Sequence, residues 1–353
     1  MNSFKFNRLP GGLGPVIDRK DHSFLYFGGT AYLGMPQNVL FRDYYIEGLK
    51  LYGVNNGTSR NNNVQLGIYD EAEQVAASRF GAAASLITSS GYLAAQLAVR
   101  HFADWGHVIY APATHPALWL HGNPQVSGSF GYWSRHVVEV INQSQTDRFV
   151  LISNSMNNLF PEVYDFNFLS AIKPGKEVLL LVDDSHGLGV LNEGRGSFCA
   201  LPQLPHVKVL VMASMAKALG VDAGIILGDL PLVAMLKQSN VFLGASPPAA
   251  AGLYAFIKSE MLYTMELQRL KELCCYFSDG LGAQKTAFAA IKGFPVYLSE
   301  DQNLGQMLKA QSVLISSFAY PDQHGETLNR IVLSSWHREQ HLDLLLNRIR
   351  AGE

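Results

Sequence analysis

Six short runs in the middle of the chain are largely apolar and do not alternate with polar residues: Ala84–Thr88, His107–Ala111, Phe149–Ser153, Val178–Asp183, Val207–Ala213 and Gly224–Leu227. Amphipathic stretches such as Tyr69–Arg79 and Leu93–Phe102 lie between them. A strand that is apolar on both sides needs cover on both faces, and a mostly parallel sheet flanked by helices supplies it. The pattern therefore predicts an α/β fold. A chain of 353 residues is long for one domain and short for three. The expected division is a large α/β domain over 36–248 and a smaller α+β domain over 249–353, with residues 1–35 packing on the smaller one. After Pro247-Pro248 a long helical stretch, Ala249–Leu281, leads into the second domain. Strand Val296–Leu298, helix Leu304–Gln311, strands Val313–Ser317 and Arg330–Ser334 and a helix from Glu339 are expected to follow.

Composition narrows the function classes. Hydrophobic residues make up 48% and charged residues 16%, which calls for a generous core or a large buried interface. A formal net charge of -2, with the basic residues scattered, gives no pull toward nucleic acid or an anionic membrane. The opening residues hold no continuous apolar stretch, and the most apolar region, Val207–Leu236, is interrupted by Lys217, Asp222 and Asp229. Neither a signal peptide nor a membrane span is expected. Cys199, Cys274 and Cys275 make neither a disulfide framework nor a zinc site, so a cytoplasmic protein is expected.

Four segments carry chemistry, and their order matters. In Thr88–Gln96 a strand end runs through Ser90, Gly91 and Tyr92 into a helix, whose unpaired first-turn N–H groups suit a phosphate; an ordinary strand-to-helix turn reads the same way. His115 follows the next strand, placed either to lie over an aromatic ring or to cap the helix after Pro116. The third segment runs an apolar strand into Asp183, Asp184 and His186. A carboxylate there needs a cation or a ligand, and either a pyridinium nitrogen or a divalent metal would serve. In the fourth, a strand leads to Ser214 and then to Lys217, which is flanked by Ala and Met. Burial lowers a lysine pKa and frees a nucleophilic amine; a lysine snorkelling to water is the alternative.

In this order, with the runs LVDDSHGLGVLNEGRGS, ASMAKALG and SSGYLAAQ, the chain resembles the α-oxoamine synthases of the fold-type I pyridoxal-phosphate (PLP) enzymes. The resemblance runs from about Tyr26 to the C-terminus. It implies a seven-stranded, mostly parallel sheet in the large domain and a homodimer with shared active sites. It also implies that PLP is held covalently on Lys217, with Asp183 on the ring nitrogen, His186 on the phenolic oxygen and His115 stacked on the ring. Ser90, Gly91, Tyr92 and Ser214 would hold the phosphate, Gly91 and Tyr92 through backbone N–H groups and Ser214 through its hydroxyl. Arg330 would grip the substrate carboxylate, and Asn154 would stand among the substrate-binding residues.

Several positions depart from the family's pattern. Asn55-Asn56-Gly57-Thr58-Ser59-Arg60 replaces a Gly-Ser-Gly-Gly-Ser-Arg run, Tyr69 a histidine, Asn154 a glutamate and Gly244 a threonine, with Ser246 nearby. The expected reaction is condensation of a small amino acid with an acyl-CoA, with decarboxylation, to an α-amino ketone. An aminotransferase, a lyase acting on β-hydroxy amino acids and a PLP-retaining binding protein are the alternatives.

Overall fold

A computed structural model describes residues 6–19, 22–157, 159–320 and 325–351. Along the chain come β1 (Val16–Arg19), β2 (His22–Phe27), α1 (Val39–Tyr52), α2 (Ile68–Phe80), β3 (Ala84–Thr88), α3 (Gly91–His101), β4 (His107–Tyr110) and α4 (Phe130–Gln143). Next are β5 (Arg148–Asn154), β6 (Glu177–Asp183), β7 (Val207–Ser214), β8 (Gly224–Gly228), α5 (Leu230–Lys237), α6 (Asn240–Gly244) and α7 (Ala250–Lys258). The last are α8 (Glu260–Gly280), β9 (Phe288–Ala290), β10 (Val296–Ser299), α9 (Leu304–Ala310), β11 (Val313–Tyr320), β12 (Glu326–Val332) and α10 (Glu339–Arg350). Two compact units result: Asp43–Asn157 with Val163–Glu260, and Met1–Arg42 with Asn158–Glu162 and Met261–Glu353.

The six apolar runs form the sheet of the first unit, in the order β3-β8-β7-β6-β5-β4. β4, β5, β6 and β7 run parallel, while β8 is antiparallel to both β3 and β7. Val178 to Val182 are each 0% exposed, and full burial of one such side chain contributes about 1.5–3 kcal/mol. That packing fixes the strand whose last residue is Asp183. Leu97, Ile152, Leu181, Met212 and Ile226 share the core between the sheet and its helices.

The sheet has six strands among the described residues, one fewer than the seven expected, and it is mixed. The segment after β4 contains Pro112, Pro116, Gly122 and Pro124. It also places Ala113 and Gln125 at φ 55° and Gly128 at φ 95°. These prolines lack the N–H that a ladder needs and the left-handed residues break an extended run, and among the described residues β4 ends the sheet. The expected helix Ala249–Leu281 is also divided, into α7 and α8, at the fully buried Ser259.

The second unit is built on a sheet ordered β1-β2-β11-β12-β10-β9, antiparallel except where β2 runs parallel to β11. His337, buried and stacked on Phe27 at 4.4 Å, ties the turn before α10 to β2. No helix among the described residues is long and apolar enough to cross a membrane.

Candidate active site

Parallel strands present their carboxyl ends along one edge, where ligands of open α/β sheets bind. Here His115 follows β4, Asn154 ends β5, Asp183 ends β6, and Ser214 ends β7 with Lys217 three residues beyond. Asn154 and Asp183 are register partners. The Lys217 amine lies 2.7 Å from His186 Nε2. Asp183 Oδ1 accepts the Ser185 N–H at 2.9 Å, and Ser185 Oγ accepts the Ser214 N–H at 2.9 Å. Ser185 thus links the carboxylate turn to the lysine loop, a role that its place between Asp184 and His186 does not announce.

His115 reports on the field of the site. Desolvation holds its pKa below the ordinary imidazole value; Asp183 pulls it up and the charge of Lys217 pushes it down again. Its Nδ1 accepts the Ala117 N–H at 3.2 Å, so the histidine does cap the short helix after Pro116. The cap fixes the ring without occupying its faces.

Ser90 is the N-cap of α3, its hydroxyl accepting the Leu93 N–H at 3.1 Å. The N–H groups of Gly91 and Tyr92 belong to the first turn, which has no intrahelical acceptors. A Cβ built on Gly91 would lie 2.6 Å from Ser214 Cβ, so only glycine lets the helix start approach Ser214 this closely. The result is a cradle of helix N-terminus and hydroxyl suited to a phosphate.

The two adjacent carboxylates do different things. Asp184 is fully buried, and its Oδ2 accepts the Ser197 N–H at 2.6 Å. Burial pushes its pKa up to about 6, with Ser155 and Ser197 pulling it back. A side chain on Gly187 would collide with Asp184 Oδ1, and one on Gly196, at φ 73°, with Oδ2. The glycine-rich tail of the motif is therefore packing around Asp184, while Asp183 faces the site. Among the described residues no group of three or more His, Cys, Asp or Glu side chains is arranged to hold a metal.

Arg330 belongs to the second unit. It sits mid-sheet, opposite Leu298 of β10 and Ser316 of β11, and is 7% exposed rather than a solvated edge residue. Its Nε is buried without a hydrogen-bond partner, and Arg330 makes no ion pair among the described residues. Desolvation lowers its pKa from the ordinary guanidinium value, against the pull of Tyr32. A buried cation of this kind favours an anionic ligand.

Most positions that depart from the expected pattern lie together. Asn55, Asn56, Thr58, Ser59, Tyr69 and Ser246 line one cleft of about 530 Å³ in the first unit. Arg60 anchors the loop beneath it, paired with Asp70 at 3.1 Å and with the buried Glu73 at 3.2 Å. Glu73 also takes Lys237 at 2.5 Å and the Ile87 N–H at 3.1 Å. Asn154 lies elsewhere: its amide contacts the turn that carries His115. Gly244, at the end of α6, has open space where a side chain would stand.

These residues fit PLP. A lysine amine, an imidazole beside it, a carboxylate at a strand end and a helix-start cradle are the partners that an aldehyde, a phenolic oxygen, a ring nitrogen and a phosphate require.

Curated relatives include the 8-amino-7-oxononanoate synthase of Chromobacterium violaceum, 26% identical over 352 residues, which cover 96% of this chain and 91% of that protein. Among solved structures, a serine palmitoyltransferase variant from S. paucimobilis with bound PLP and myriocin superposes with a TM-score of 0.82 at 16% identity, over 98% of this chain and 91% of the other. The 8-amino-7-oxononanoate synthase of Francisella tularensis gives a TM-score of 0.70 at 16% identity, over 93% of this chain and 98% of the other. At these identities the two structures speak for the fold alone. The model of the family described as aminotransferase class I and II matches residues 31–349, nearly the whole chain; the protein belongs to that family.

Proposed function

We propose that this protein is a PLP-dependent acyltransferase: it condenses a small amino acid with an acyl-CoA thioester and releases the CoA thiol, carbon dioxide and an α-amino ketone. The observation that carries the reading is the Lys217 amine set 2.7 Å from His186 beside the strand-end carboxylate of Asp183. The full-length relatives named 8-amino-7-oxononanoate synthase support the acyl-transfer step.

When bound, PLP supplies the electron sink that stabilises negative charge at the amino acid's α-carbon. Lys217 Nζ holds the cofactor and moves the α-proton. Asp183 keeps a proton on the ring nitrogen, and His186 steadies both the lysine and the phenolic oxygen. The α3 start and Ser214 hold the phosphate. Arg330 orients the amino acid through its carboxylate, a task that suits the planar, bidentate guanidinium.

The test supplies glycine, alanine or serine together with acyl-CoA thioesters from acetyl to long-chain and measures free thiol. Thiol release that depends on both substrates is expected. No thiol with any acyl-CoA, together with amino-group transfer to a keto acid, would replace this reading with an aminotransferase. Arg330→Ala should weaken amino-acid binding by about 2–3 kcal/mol, the scale of charge-assisted hydrogen bonds, as measured by spectral titration.

The active unit in this reading is a homodimer with shared sites. Ile46, Leu51 and Val54, on α1 and the loop after it, are 43%, 61% and 80% exposed, apolar surface that a partner subunit would cover. Light scattering at micromolar concentration should give a dimer. A fully active monomer would contradict the shared site.

A further inference from the structure

We infer that Asn154 is a positioning residue, whose amide holds the turn carrying His115 in the orientation that the cofactor site needs. Both ends of the amide engage that turn. Oδ1 accepts the His115 N–H at 3.1 Å, and Nδ2 donates to the Ala113 carbonyl at 2.7 Å. The two backbone groups settle which end of the amide is which, because an N–H needs an acceptor and a carbonyl needs a donor. The turn requires such a clamp: Ala113 lies at φ 55°, in the left-handed region that a side chain disfavours. From the clamped backbone, His115 Nδ1 reaches the Ala117 N–H at 3.2 Å, which leaves the neutral ring's proton on Nε2.

The position of Asn154 makes the clamp consequential. It is the last residue of β5 and the register partner of Asp183 on β6. One side chain therefore ties the turn after β4 to the strand beside the carboxylate. A carboxylate at 154 could accept from His115 but could not donate to Ala113, and it would set a negative charge against the Ala113 carbonyl. Asparagine meets both demands with no net charge. The expected substrate-binding role gives way to one exerted through His115.

The inference rests on the PLP reading for one of its two readouts, and the test separates the two ideas. In the full-length chain without added PLP, the imidazole nitrogen resonances of ¹⁵N-histidine should show His115 as a single Nε2-protonated tautomer. Asn154→Ala should mix the tautomers. In parallel, a cycle of Asn154→Ala and His115→Ala is read as the dissociation constant for PLP. Asn154→Ala should weaken binding about fivefold, on the scale of one net hydrogen bond. In the His115→Ala background the same change should cost less than about twofold, because coupled residues do not add. A fivefold loss that persists without His115 means that the amide meets the ligand directly and overturns the inference; so does a tautomer pattern that Asn154→Ala leaves unchanged. Should Asn154→Ala fail to fold by thermal melting, the nearly isosteric and uncharged Asn154→Leu, which removes both amide bonds, takes its place in both measurements, and the same two results support or overturn the inference. Failure of the wild-type chain to bind PLP counts against the proposed function, whereas the imidazole spectrum needs no cofactor.

Discussion

Lys217→Ala is expected to lose turnover by at least about 10⁴-fold, since one residue supplies both the covalent hold on the cofactor and the proton-transfer group. The fold should survive, because Lys217 is only half-buried. Some affinity for PLP should remain too, because the phosphate cradle of Ser90, Gly91 and Ser214 is built from other elements. Borohydride treatment of the wild-type protein should fix the cofactor on a single peptide containing Lys217. Recovery of the label on Lys208 or Lys237 would defeat the assignment. The structure gives those two other work: Lys208 lies over the Trp105 ring at 5.9 Å and Lys237 pairs with Glu73.

Asp183→Asn carries the second large effect. Removing one partner of a buried, hydrogen-bonded charge pair costs about 3–5 kcal/mol, so turnover should fall by roughly two to four orders of magnitude. The melting temperature should hardly move, because the contact of Asp183 Oδ1 with the Ser185 N–H is one that an amide oxygen also makes. A loss of less than about tenfold in kcat would show that Asp183 does not hold the ring nitrogen's proton.

The sheet of the first unit was legible because its strands are short apolar runs, whose only close competitor is a buried helix. The residues at their ends stood out because His115, Asp183, His186 and Lys217 end or follow apolar runs in that order. Other features are non-local and left no such mark. Asp183 and Asp184 are the same residue side by side; only the pleat of β6 and the burial beyond it separate the half-buried Asp183 from the fully buried Asp184. The mid-sheet burial of Arg330 depends on β10 and β11 flanking it, which no window around Arg330 contains. Asn154 pairs with a turn some forty residues away, so the expectation attached to it came from the resemblance alone. Helix α4 defies propensity, with aromatic and β-branched residues throughout. It forms because Phe130, Trp133, Val137 and Ile141 fall on one buried face. The seventh strand is an expectation of the resemblance alone, and the described residues hold six.

The anchor at Glu73 has a consequence for how such a protein changes over time. Arg60, Lys237 and the Ile87 N–H converge on that carboxylate, so the stem of the loop is pinned to α5 and β3 while Asn55 to Ser59 line the cleft above it. Replacements at the tip therefore tax neither the stem nor the strand ends that carry Lys217 and Asp183. The tip is thus the part of this cleft whose shape can change while the anchor below it stays intact.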